Sequence, residues 1–405
     1  MLITGKPNAT QLAFGFPLWY PWAVIIRSFW KRLLEDTLAS TPIVWLAGVR
    51  RAGKTVLCQS LPNIDYFDCE LPSARKKMED PERFLGGLAG RRIVIDEIHR
   101  LPNPSELLKI AADHFPGVRI VATGSSSLGA SRKFKDTLTG RKKDLWLTPM
   151  NLRDLSDFGG ADLDVRMLRG GLPPLFLDAS ASERPYQDWL DAFWAKDILE
   201  LFRLERRASF LRFAELLFAQ SGGVFEATRF AVPCEVSRTT IASYLATLEA
   251  TFVVHVVRPY SGRRSSEIIA APRVYAFDTG FVCMFRGLSR LRSEDRGSLW
   301  EHLVLNELHA NLQRRDVMYW RDKRGFEVDF VLPRIQEGPV AIECKLSREA
   351  FDPAGMAAFR RLHPRGRNFV VSSRNASPLE KRFGELAVRF VDLPELVRQL
   401  MVPTG

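Results

Sequence analysis

Apolar positions along the chain change period several times, and the changes divide it. In the first part three short runs are apolar with little alternation: residues 43–47 (IVWLA), residues 93–95 (IVI) ahead of Asp96 and Glu97, and residues 118–123 (VRIVAT). Runs of this length, rich in β-branched residues, predict strands covered on both faces, as in a parallel sheet. Ahead of them Phe29, Leu33, Leu34 and Leu38 recur at helical spacing among Arg27, Lys31, Arg32, Glu35 and Asp36, which predicts an amphipathic helix. Between residues 154 and 197 acidic residues accumulate around Gly170-Gly171-Leu172-Pro173-Pro174, a turn signal, with Trp189, Phe193 and Leu199 on a helix. This stretch reads as a helical lid or connector. Residues 210–220 and 237–249 read as two further helices, the second with Ser237 as N-cap. Strands follow at 251–257 and 273–277, around the basic loop 261–266 that carries Arg263 and Arg264. The last part predicts a helix at 298–308, strands at 326–332 and 340–345, and a closing strand and helix between 389 and 400.

The first candidate chemistry lies between the 43–47 strand and a helix-compatible segment: Gly48-Val49-Arg50-Arg51-Ala52-Gly53-Lys54-Thr55, then Val56. Two glycines bracketing such a loop let backbone N–H groups turn toward phosphates. Lys54 is placed to reach the β- and γ-phosphates of ATP, and Thr55 to offer its hydroxyl to Mg²⁺. The 93–95 strand then ends in two carboxylates. Asp96 is suited to the magnesium shell and Glu97 to polarising an attacking water. The strand ending at Thr123 runs into Gly124-Ser125-Ser126-Ser127, which puts Ser125 or Ser126 at the carboxyl edge of a parallel sheet, where ligands bind.

A second constellation stands near the carboxyl end. Asp329 lies on one predicted strand, Glu343 and Lys345 on the next, and Glu301 on the preceding helix. Side chains two apart on a strand share a face, so Glu343 and Lys345 point together, and a hairpin partner brings Asp329 beside them. Asp329 and Glu343, with Glu301 as a third carboxylate, form a donor set for Mg²⁺ or Mn²⁺, with Lys345 to stabilise charge on a phosphate. Glu307, six residues after Glu301, falls on another face of the helix.

Taken together the loop, the acidic strand and the polar strand end resemble the AAA family of P-loop ATPases, in particular prokaryotic members with a C-terminal domain of unknown function. The resemblance spans residues 26 to about 373. It implies that Ser125 or Ser126 acts as sensor 1, and that Arg141, in Leu138-Thr139-Gly140-Arg141, contacts a γ-phosphate in cis or from a neighbouring copy. Helix, helix, strand, basic loop and strand over 206–280 resemble a winged helix-turn-helix, which implies Arg238, Thr239 and Thr240 near bases, with Arg263 and Arg264 on the wing. Asp329, Glu343, Lys345 and Glu301 resemble the PD-(D/E)xK nuclease pattern, with Val328 at the motif's Pro position. The expected architecture is therefore α/β. Residues 1–25 are an unassigned leader, 26–150 a P-loop NTPase parallel sheet with flanking helices, and 151–205 a helical lid. Residues 206–280 form a winged helix and 281–405 a restriction-endonuclease-like α/β domain.

Composition narrows the partners. With 58 Lys+Arg against 47 Asp+Glu the net charge is +11, which favours a polyanionic partner such as DNA or another nucleic acid. Five dispersed cysteines without a CxxC pair suit reduced thiols in a cytoplasm, and six histidines without an HExxH or HxxxH pair offer no zinc hydrolase site. The apolar run 12–26 contains Pro17 and Pro21 and falls short of the roughly 20 residues of a membrane span. A packed arm or an over-extended gene start is the expectation for it. The sequence thus points to an ATP-binding, ATP-hydrolysing protein acting with nucleic acid. The alternative is a nucleotide-dependent switch or scaffold, possessing an inactive C-terminal domain and a protein partner at the winged helix. A homo-oligomer is compatible with either.

Overall fold

The computed structural model describes residues 24–124, 138–160, 162–178, 182–202, 204, 206–261, 271–334, 337–373 and 377–401. The leader up to residue 23, Ser125 and Ser126, and Arg263 and Arg264 lie outside the described residues.

The apolar runs of the first part form a five-stranded sheet of β1 (Ile43–Ala47), β2 (Ile64–Asp68), β3 (Arg92–Asp96), β4 (Arg119–Gly124) and β5 (Lys142–Trp146), in the order β2-β3-β4-β1-β5. All four pairings are parallel. Every residue of β1 is buried, as expected of a strand covered on both faces. Helix Ser28–Ser40 covers the sheet through Trp30, Leu34 and Leu38. Trp30 joins that buried stripe while Phe29 and Leu33 pack at its margin, a rotation of the face expected from the sequence. Because the strands are parallel, the segments after β1, β3 and β4 emerge along one edge. Arg141 belongs to the opposite edge, since Lys142 pairs with Ile43, the first residue of β1.

The second sheet has eight strands, in the order β12-β13-β11-β10-β9-β8-β6-β7. They are β6 (Val254–Pro259), β7 (Arg273–Ala276), β8 (Met318–Arg321), β9 (Glu327–Leu332), β10 (Val340–Lys345), β11 (Asn368–Ser372), β12 (Leu379–Phe383) and β13 (Leu386–Val391). Helices Ser293–Leu312 and Leu393–Met401 pack on it, as does Pro353–Leu362 against β9. The β6–β7 hairpin follows helices Arg207–Ala219, Ala227–Ala231 and Arg238–Ala250, the last capped by Ser237, whose hydroxyl accepts from Thr240 N at 3.1 Å. The expected break at residue 280 does not separate two modules. Arg258 and Pro259 of β6 pair in parallel with Met318 and Tyr319 of β8, so the hairpin of the expected winged helix extends the C-terminal sheet.

The connector consists of helices Leu152–Asp157, Leu163–Arg169, Pro173–Leu177 and Arg184–Phe193, the last continuing through a π-turn at Trp194–Ile198. Its Gly-Gly-Leu-Pro-Pro element, for which the sequence suggests only a turn, is a cradle for a buried carboxylate. Asp278 accepts from Gly171 N at 2.5 Å and Gly280 N at 2.9 Å. A Cβ on Gly170, where φ is +79°, would stand 2.0 Å from Asp278 Oδ1. One on Gly171 would stand 2.4 Å from Arg166 Nη2. Arg166, equally buried, donates to Met150 O at 2.9 Å and Thr279 Oγ1 at 3.1 Å. Burial pushes the Asp278 carboxyl up and the Arg166 guanidinium down, and each charge offsets part of that cost for the other.

The long C-terminal helix is bolted to the first domain. Asn306 Nδ2 donates to Pro149 O and Met150 O, both at 3.3 Å, and the Gln313 side chain pairs with both backbone groups of Trp146 at the edge of β5. Glu307 is no ligand; it accepts from Leu152 N and from Asn311 Nδ2.

Two substitutions test this account. Gly171→Ala should cost about 3 kcal/mol by overpacking against Arg166 and lower the melting temperature by several degrees. Burial raises the Glu307 carboxyl to about 7. A raised carboxyl pKa favours folding at low pH, and the contribution disappears as pH climbs through the folded-state value. Glu307→Gln keeps the acceptor for Leu152 N, and Asn311 can flip its otherwise unpartnered Oδ1 toward the new amide. Thermal unfolding across pH 5 to 8 should therefore show the variant gaining on wild type by roughly 1–3 kcal/mol as pH rises.

Candidate nucleotide site and C-terminal carboxylate cluster

The loop after β1 folds as its sequence demands. Gly48 has φ +155° and passes so close to the end of β5 that a Cβ would meet Leu147 O at 2.5 Å. Arg51 (φ 64°) and Gly53 (φ 100°) are left-handed, the alternation that gathers backbone N–H groups into an anion nest. Val49 and Ala52 are buried, Val56 is half-buried, and Arg51 and Thr55 are exposed. Lys54, buried, donates to Gly48 O at 2.7 Å and Val49 O at 3.1 Å, and burial lowers its pKa.

The acidic end of β3 meets the loop. Thr55 Oγ1 donates to Asp96 Oδ2 at 3.0 Å, and the hydroxyls of Tyr66 and Thr123 also donate to Asp96. Thr123, at the end of β4, accepts in turn from Glu97 N at 3.0 Å. This geometry follows from the strand order, because β4 lies between β1 and β3. Glu97 has φ 50°, which turns it out of the strand, and His99 Nδ1 lies 3.2 Å from its Oε2. Burial first, then the charges of Asp96 and Asp197 against those of Lys54 and Arg50, hold the Glu97 carboxyl at about 7. A hydroxyl and a carboxylate oxygen beside a phosphate nest suit Mg²⁺, which takes one or two protein oxygens and fills its octahedron with water and phosphate oxygens.

Arg141 is not part of this site within one chain. It pairs with Asp113 through Nε (2.7 Å) and Nη2 (3.1 Å), at the sheet edge opposite the loop. Sequence reasoning also passed over contributors from elsewhere. Tyr66 and Thr123 sit on strands that frame Asp96, and Thr123 was within reach of the strand-end argument that stopped at Ser125. Asp197 of the connector, buried, lies 2.9 Å from Arg50 Nε, and Trp189 Nε1 donates to Arg50 O at 3.0 Å. Arg27 Nη1 donates to Ala52 O at 3.0 Å and Thr148 O at 2.9 Å, while its Nη2 pairs with Asp154. No local pattern marks these, because the residues they meet are remote in sequence.

The C-terminal candidates converge as the strand argument anticipates. Lys345 Nζ lies 2.7 Å from Glu343 Oε2 and 3.6 Å from Asp329 Oδ2, and Cys344 N donates to Asp329 Oδ2 at 2.8 Å. Glu301 reaches the cluster from its helix but is engaged by Tyr275, whose hydroxyl donates to it at 3.1 Å. Burial, and then the neighbouring Asp329, push both Glu301 and Glu343 upward. Among the described residues no three His, Cys, Asp or Glu side chains are grouped to hold an ion; Lys345 lies against Asp329 and Glu343, and Tyr275 donates to Glu301. On helix Arg238–Ala250, Arg238 and Thr239 are exposed and Thr240 is half-buried.

Comparison with known proteins matches three stretches of the chain. Residues 40–156 match an AAA domain, residues 160–292 a domain of unknown function (DUF8612) and residues 296–392 a second domain of unknown function (DUF4143). An uncharacterized protein of Mycobacterium bovis and one of Mycobacterium tuberculosis are each 30% identical over 323 residues, covering 77% of this chain and 72% of theirs. An uncharacterized protein of Methanocaldococcus jannaschii is 20% identical over 337 residues, 75% of this chain and 74% of its own. The Walker-type ATPase of Pyrococcus abyssi is similar over 64% of this chain and 95% of that one, with 16% identity and a TM-score of 0.42. No helix among the described residues is long and apolar enough to cross a membrane. The chain belongs to the family of these mycobacterial proteins and carries a P-loop AAA-type ATPase domain followed by two domains of unknown function.

Proposed function

We propose that the protein binds ATP with Mg²⁺ and hydrolyses it, and that turnover serves a nucleic-acid target. The observation that carries the first part is the meeting of the phosphate nest, Lys54 and Thr55 with Asp96 and Glu97 at one sheet edge. Among the described residues Lys54 has only loop carbonyls as hydrogen-bond partners, which phosphate oxygens would replace. Thr55 and Asp96 would hold the cation, which would supply charge neutralisation between the phosphates. Glu97, turned out of its strand and held near neutrality, is placed to take a proton from a water. Ser125 or Ser126 remains the proposed sensor, with Thr123 fixing Asp96 and Glu97 relative to each other.

The nucleic-acid part is supported by the basic balance of the chain and by the cluster of Asp329, Glu343, Lys345 and Glu301. A specific observation favours the second reading, a nucleotide-dependent switch or scaffold. Lys345 pairs with both Asp329 and Glu343 and Tyr275 donates to Glu301, so each of the three carboxylates already has a partner within the protein.

Steady-state hydrolysis by wild type, Lys54→Ala and Glu97→Gln, with and without double-stranded DNA, separates these readings. The expected outcome is turnover that falls by a factor of about 100 or more in both variants and rises with DNA. Turnover indifferent to DNA would favour the switch, and nucleotide bound without turnover would remove the hydrolase reading. A base must be ionised to act. With Glu97 at about 7 in the free protein, kcat/KM should climb with pH between 5.5 and 7 and level off above, a profile absent from Glu97→Gln.

A further inference from the structure

The connector reaches the phosphate-binding loop at two points of one residue, the carbonyl of Arg50 through Trp189 and its guanidinium through Asp197. Trp189 and Asp197 are eight residues apart. At 3.6 residues per turn that spacing would leave them about 80° apart around the helix. The π-turn at Trp194–Ile198 absorbs one residue, so the spacing counts as seven, about 20° short of two full turns. Both side chains thereby face the loop. Trp189 is held from behind by rings stacked at 5.2 Å on either flank, Phe193 and Phe277.

The peptide group is planar and trans, so its C=O and N–H point in opposite directions. Fixing the Arg50 carbonyl on the connector side turns the Arg51 N–H to the other side of the loop. Two peptides further on, Arg27 fixes the Ala52 carbonyl and turns the Gly53 N–H away from itself. Among the described residues neither N–H is taken up by another backbone group. These are the amides of the two left-handed residues that form the nest.

We infer that Trp189 and Arg27 are positioning residues of the nucleotide site, which aim the Arg51 and Gly53 amides at the phosphates of a nucleoside triphosphate while Asp197 keeps Arg50 in register. Both residues lie outside the stretch that matches the AAA domain, and Trp189 lies within the first domain of unknown function. The nucleotide site is therefore completed by the connector. The inference rests on the nucleotide-binding reading above.

The test is calorimetric titration of the full chain with ATP and Mg²⁺, together with melting temperatures with and without ATP. The proteins compared are wild type, Lys54→Ala, Trp189→Phe and Arg27→Lys. Trp189→Phe keeps an aromatic ring between Phe193 and Phe277 and removes the N–H donor together with part of the indole ring, a loss that by itself lowers stability but not affinity. Arg27→Lys keeps the charge beside Asp154 and removes the fork that reaches Ala52. Loss of one carbonyl anchor should weaken ATP binding by about five- to tenfold. KM should rise by more than kcat falls, and the ATP-induced rise in melting temperature should shrink. A purely structural role would instead lower the melting temperature without ATP and leave the affinity of the folded fraction unchanged. Wild-type affinity in both variants would overturn the inference alone. Absence of binding by wild type would overturn the nucleotide reading and the inference with it. Should one variant fail to fold, unchanged affinity in the other overturns the inference.

Discussion

A carboxylate with no access to water must find its compensation in the protein, and Asp278 finds it in parts of the chain more than a hundred residues apart. Gly171 N and Gly280 N donate to it and Arg166 stands beside it. Arg166 in turn holds Met150 and Thr279. Breaking any one of these contacts would leave a buried charge or a buried donor unpaired, which is costly in a low-dielectric interior. The end of the first sheet, the connector and the hairpin module are therefore held in one arrangement. Everything else about the nucleotide site presupposes this, since Trp189 and Asp197 can meet Arg50 only if the connector is held where it is.

The two acidic centres find their partners in different ways. Asp96 is satisfied by three hydroxyl groups, which are neutral donors, at the edge of the phosphate loop. Asp329 and Glu343 share one lysine, so a cation entering that cluster would first have to displace an ammonium. Placing a helix that carries Glu301 at one position and Asn306, Glu307 and Gln313 further along ties the second centre mechanically to the first domain.

What could be read from the chain beforehand was whatever depends on neighbours in sequence. The loop from Gly48 to Thr55, the strand ending in Asp96 and the Asp329, Glu343 and Lys345 face follow from local turn geometry and the alternation of side chains along strands, and each stands where those rules put it. Helical phase alone separates Glu307 from Glu301, and on its own face of the helix Glu307 accepts from Leu152 N. The reading stops where a residue's surroundings are set by a partner far along the chain. The register of β5 against β1 takes Arg141 to the edge opposite the loop, which leaves a phosphate contact to a neighbouring copy. Glu301 accepts from Tyr275, a partner that the helix sequence does not announce. The Gly-Gly element was visible only as a turn because its reason, Asp278, lies 107 residues away.

The pairing of β6 with β8 spans two residues on each strand, yet it crosses the point where the matched domains of unknown function meet. Strands carry unpaired N–H and C=O groups wherever a sheet is interrupted, and such edges recruit foreign strands. A fragment ending between residues 292 and 296 would expose β6, and the complementary fragment would expose β8. Each half thus acts as the other's edge protector. The β6–β8 pairing crosses the seam between the two domains of unknown function, and dividing the chain there would leave an unpaired strand edge on each piece.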